Sequence, residues 1–149
     1  MTSLEKATTL MARLSLLVIY FWFGLLKVIG QSPASQMIQS LFSKTLAHMP
    51  MFTMSPSLFV WVFGFFEIII GILFFIPGWE KTALVLFFIY IITTALPLFM
   101  FHGEVWSHLF VPTLEGQYII KNIALITCAL VIWSSTNIYP VRDTHQKTL

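Results

Sequence analysis

Leu58 to Ile76 reads LFVWVFGFFEIIIGILFFI, nineteen residues broken by one charge, Glu67. At 1.5 Å per residue this stretch is long enough to cross a hydrocarbon core of about 30 Å as a helix. A single soluble core of this size cannot hide so much apolar surface, and a second run follows at once. Ala83 to Phe101 is nineteen residues with no charge at all. Between them Pro77-Gly78-Trp79-Glu80 is a tight turn, so the two runs form an antiparallel hairpin of helices.

Working outward, Leu14 to Ile29 is apolar except for Ser15 and Lys27, and Tyr118 to Trp133 carries Lys121 and Asn122 near its start. The reading is one all-α domain over 1–149, a polytopic membrane bundle with spans near 10–30, 57–77, 82–101 and 117–136. Backbone groups in lipid are satisfied only in helices or closed barrels, and runs without alternation exclude the barrel. Composition agrees: 58% of residues are hydrophobic and 9% charged, against roughly 25% charged in soluble domains. The bilayer is therefore the first partner. A net charge of +2 gives no nucleic-acid footprint, and the single cysteine, Cys128, excludes an internal disulfide or a CxxC pair.

Lys6 and Arg13 before an apolar run, with Ser32-Pro33-Ala34 after it, imitate a signal peptide. The length of the run, its aromatics and Lys27 favour a retained helix. Four spans place both termini and the 77–82 turn on one side, with Lys6, Arg13, Lys81, Arg142 and Lys147. The other side has only Lys44, with Lys27 and Lys121 just inside the helix ends, so the termini are expected in the cytoplasm. Trp22, Trp61, Trp79, Trp106 and Trp133 fall mostly near span ends and read as interfacial anchors. In the first outer connection Met37, Ile38, Leu41, Phe42 and Leu46 recur at helical spacing. They predict a short helix that lies on the membrane or caps the bundle.

Ionisable residues inside spans must face protein, water or a partner. At 100° per residue Arg13, Tyr20, Gly24 and Lys27 share a face of the first span, and Val60, Gly64, Glu67 and Gly71 a stripe of the second. Tyr90, Thr93, Thr94 and Pro97 coincide on the third, and Gln117, Lys121, Cys128 and Ser135 on the fourth. Turning all four faces inward gives an outward-facing polar cavity floored by Glu67, about 15 Å deep, and walled by Lys27 and Lys121. The candidate ligand or ion-pair residues are thus Lys27, Glu67, Lys121, Tyr20, Thr93, Thr94 and Gln117. Three readings stay open: a structural ion pair with snorkelling lysines, a ligand, proton or quinone site, and a face for a partner subunit. The three charges sum to +1, which favours an anionic or electron-rich guest.

Metal ligation is the weaker pattern. His48, Met49, Met51 and Met54 gather an imidazole and three thioethers that suit a soft ion. Met-rich interfacial chain accounts for them equally, and His102, Glu104 and His108 read as solvated loop polarity. No nucleophile–base pair, phosphate loop or paired haem histidines is visible.

Several motifs resemble those of the DoxX-like membrane proteins, closest to the YkgB/RclC-type branch. They are Arg13-Leu14-Ser15 with Phe23-Gly24-Leu25-Leu26-Lys27, Gly64-Phe65-Phe66-Glu67-Ile68-Ile69-Ile70-Gly71, Thr93-Thr94-Ala95-Leu96-Pro97-Leu98, and Gly116-Gln117-Tyr118-Ile119-Ile120-Lys121-Asn122. The resemblance covers about 13–135, with a shorter first outer connection and Asn122 where an aspartate is expected. It implies a four-helix bacterial inner-membrane protein. Members are linked to thiosulfate:quinone oxidoreductase, membrane oxidoreductase complexes and resistance to reactive chlorine or oxidative stress. The resulting expectation is an accessory component of a redox or stress-response system, a subunit of a quinone-linked oxidoreductase more than an enzyme on its own, with a quinone headgroup or small anion in its cavity. A redox partner protein or self-association would complete it. The rivals are a small oligomeric transporter or channel using Glu67, and a non-catalytic assembly factor.

Overall fold

The computed structural model describes residues 2–43, 54–100 and 102–138. The described chain is mostly helical: α1 Ser3–Val28, α2 Ser35–Leu41, α3 Pro56–Phe75, α4 Glu80–Met100, α5 His102–Val105, α6 Leu114–Ile120 and α7 Asn122–Ile138. Two short strands, β1 Trp106–His108 and β2 Val111–Pro112, pair antiparallel between α5 and α6. Three helical stretches are long and apolar enough to cross a membrane: α1, α3, and 116–136, which runs from α6 through Lys121 into α7. α4, at 21 residues, matches them in length.

The helix ends follow from local chemistry. Thr2 and Glu5 form a capping box, each side chain accepting from the other's backbone N–H, so α1 starts well before the span expected near residue 10. Ser55 caps α3 by accepting from Leu58 N at 3.2 Å, and Pro56 sits where no N–H is needed. Gly78, at φ +93, turns the chain between α3 and α4 in a conformation costly for any residue with a Cβ.

α1 packs against α3 and α7, and α4 against α3 and α7. Leu16, Tyr20, Ile70, Phe74, Phe87, Ala129 and Ile132 form the buried core where these helices meet. Tyr20 and Phe74 both stand edge-on to Phe87, with ring centroids 5.8 and 5.5 Å away. The outer faces are apolar too: Val18, Trp22, Ile69, Val85, Ile89 and Ile92 are all exposed. An apolar exterior of this extent is a surface suited to lipid contact.

One of the two longer connections follows the sequence reading and the other departs from it. The helix expected after Ser32-Pro33 is α2, and it packs on α3, with Phe42 buried and its ring 5.0 Å from that of Phe59. Leu46 lies outside the described residues. The segment 102–116, expected as a plain connection in an all-α chain, contains the β1–β2 hairpin instead.

Candidate functional site

Gly24 lies one turn before Lys27 on α1, and Gly64 one turn before Glu67 on α3. A Cβ at Gly64 would stand 2.7 Å from Lys27 Cβ and 2.8 Å from the Gly24 carbonyl oxygen, so only glycine permits this approach of the two backbones. The close contact brings Lys27 Nζ to both carboxylate oxygens of Glu67, at 2.8 and 2.7 Å. Lys27 is 6% and Glu67 1% exposed, so the pair is withdrawn from water and lipid alike. The Tyr90 hydroxyl of α4 donates to Glu67 Oε1, and Phe63 stacks on the Tyr90 ring at 5.1 Å. Taking a carboxylate and an ammonium out of water costs several kcal/mol each, and only such direct pairing and hydrogen bonding offsets it.

Tyr20 meets Tyr90 edge-on at 5.3 Å and is 3% exposed. Its hydroxyl has no hydrogen-bond partner in the structure. A buried donor left unsatisfied costs about 1–3 kcal/mol. The site thus holds one fully engaged acid, two donors bonded to it and one donor with nothing to bond.

The remaining sequence candidates are elsewhere. The Thr93 hydroxyl donates to Ile89 O at 2.8 Å, and that of Thr94 to Tyr90 O at 3.0 Å. Thr94 also accepts from the Asn122 amide at 3.4 Å, tying α4 to α7. Gln117 and Lys121 are exposed, with Lys121 Nζ lying 5.3 Å from the centroid of the Tyr118 ring. The expected inward polar face of the last span is therefore corrected. Gly116, Ile119, Ala129 and Ile132 are the buried residues there, and helix geometry breaks at Lys121. Physically, an ammonium at the end of a short helix reaches the boundary and an aromatic face at less cost than a buried site. The charges that converge are Lys27 and Glu67, a neutral pair.

Of the thioether cluster, His48, Met49 and Met51 lie outside the described residues, and Met54 is half-buried. Among the described residues no group of three His, Cys, Asp or Glu is arranged to hold a metal ion.

Sequence reasoning missed a second buried pair. Arg13 Nη2 meets Glu80 Oε1 at 2.5 Å, Arg13 Nη1 donates to Phe74 O at 2.7 Å, and Gly78 N donates to Glu80 Oε2 at 2.8 Å. Burial pushes the Glu80 carboxyl up, but the Arg13 guanidinium and the backbone N–H groups hold it below the usual carboxylate range. The available signal was periodic: Arg13 and Lys27 share a face of α1, and each buried cation requires an acid at its own depth.

Between α4 and α7 an outward-facing groove of about 640 Å³ is lined by Leu84, Phe88, Ile92, Leu130 and Trp133, with Lys81 at one end. It is apolar and does not include the Lys27–Glu67 pair.

Comparison of the chain with protein-family models, with characterised proteins and with solved structures returned no match.

Proposed function

We propose that the chain is a DoxX-like inner-membrane protein with four membrane-crossing helices, α4 being the fourth. In this reading it serves as an accessory component of a redox or oxidative-stress-response system and holds a quinone headgroup beside Lys27, Glu67, Tyr90 and Tyr20. The basic residues near 6, 13 and 81 orient its termini toward the cytoplasm.

The observation that carries the ligand is the Tyr20 hydroxyl, a buried donor without a partner beside the ion pair. A quinone offers carbonyl oxygens that accept and cannot donate, and its flat ring is of the kind that aromatic side chains such as Tyr20, Tyr90 and Phe63 pack against. Lys27 uses two of its three N–H donors on Glu67, leaving a second donor for the same headgroup. Because the pair is neutral, a neutral acceptor fits better than the small anion that three converging charges would attract.

The test is binding of a short-chain ubiquinone or menaquinone analogue to protein in lipid nanodiscs. Tyr20→Phe is expected to weaken it about tenfold, one neutral hydrogen bond. Equal binding by wild type and Tyr20→Phe would overturn the assignment. Proton flux into proteoliposomes that Glu67→Gln abolishes would replace it with the transporter reading.

A further inference from the structure

The β1–β2 hairpin presents an apolar tip: Leu109 is 80%, Phe110 83% and Val111 50% exposed. Phe110 has φ +60, the left-handed region, where glycine or asparagine would be the inexpensive choice. The Phe110 ring buries little surface within the chain to offset that backbone cost.

The tip is held out by a fixed stem. The Val105 carbonyl accepts from Thr113 N at 2.9 Å and from Thr113 Oγ1 at 3.2 Å, with Val105 itself buried. Ser107 Oγ donates to Val111 O at 3.0 Å across the hairpin. Trp106 Nε1 donates to Leu98 O at 3.2 Å, which ties the stem to the last turn of α4. The hairpin is therefore anchored where two long apolar helical stretches end and begin. From Val105 to Leu114 there is no Lys, Arg, Asp or Glu. Exposed apolar residues continue on both sides of it, Phe99 on α4 and Leu114, Tyr118 and Ile123 on α6 and α7.

We propose that this hairpin is a membrane-inserting wedge, with Leu109, Phe110 and Val111 seated in the lipid leaflet beside the ends of α4 and α6. The absence of Lys, Arg, Asp and Glu from the hairpin, whose one titratable side chain is His108 before the tip, and continuity with the lipid-facing surface select lipid over a protein partner. The unpaired outer edges of a two-stranded hairpin exclude the hydrocarbon centre, so insertion stops at the headgroup–acyl boundary, about 5–10 Å deep. The inference rests on the membrane reading of the long helices and not on the quinone.

The test uses the full chain with Cys128→Ser, single cysteines at 107, 109, 110 and 89, and spin labels in phosphatidylcholine–phosphatidylglycerol vesicles. Labels at Leu109 and Phe110 are expected to collide several-fold more with oxygen than with a nickel chelate, as at lipid-facing Ile89, while Ser107 shows the reverse. A label at 110 open to nickel, or shielded from both reagents as a protein interface would shield it, overturns the wedge. Failure at Ile89 would instead overturn the membrane reading itself. The unsubstituted protein gives a second measurement, cross-linking to phosphatidylcholine bearing a diazirine on its upper acyl carbons. Adducts are expected within 106–113, and their absence while α4 is labelled overturns the proposal.

Discussion

Tyr20 and Tyr90 are neighbours in one site, yet the same substitution should act on them in opposite ways. Tyr90→Phe removes a hydrogen bond to a charged acceptor and should cost about 1.5–3 kcal/mol, seen as a lower melting temperature in detergent. Tyr20→Phe removes an unpartnered hydroxyl and should leave the ligand-free protein unchanged or more stable. The ion pair makes a similar contrast. Glu67→Leu or Lys27→Met alone strands a buried charge, at about 3–5 kcal/mol, whereas the double variant should recover most of the loss. A double variant no better than the singles would show that the two charges are not each other's partner.

At the scale of elements, the α1–α3 contact depends on the absence of two side chains. Gly64→Ala should lower the melting temperature, because the added methyl meets Lys27 Cβ and the Gly24 carbonyl, an overpacking cost of about 1–3 kcal/mol that exceeds the gain in helix propensity. Gly103→Ala, with open space around it, should be neutral or mildly stabilising. This contact was also the most legible part of the chain. Helical spacing alone puts Gly24 and Lys27 on one face and Gly64 and Glu67 on another, and all four are buried. The last span was read less well. Its polar residues lie near the boundary, where burial is not obligatory, so periodicity did not reveal which face turns inward. The hairpin was illegible for another reason: Leu109-Phe110 contains none of the residues that announce a left-handed turn. The spacing also left Tyr90 as one residue among several on its face, although its hydroxyl completes the site.

For the molecule as a whole, Arg13 and Glu80 fasten α1 to the turn between α3 and α4. The carboxyl of Glu80 is held below its ordinary value, so its contribution to stability is complete above about pH 4.3, where the unfolded group ionises. It is lost as pH falls through the lower folded value. Melting temperatures measured from neutral pH downward should therefore drop in acid, and Glu80→Gln should flatten that acid limb. A wild-type limb no steeper than that of Glu80→Gln would count against this coupling.

The two buried pairs also impose an order on biogenesis. Both cations lie on α1, and their acids follow later in the chain, by 40 residues for Lys27 and 67 for Arg13. A lysine or arginine opposes insertion of a lone helix by about 2.5–3.5 kcal/mol at its centre and by less toward its ends, where Lys27 lies in the last turn of α1. In a membrane, α1 therefore carries two unpaired cations until the helical hairpin with both carboxylates arrives. A chain truncated before Glu67 should be extracted from the membrane and degraded, and one extended past Glu80 should be retained.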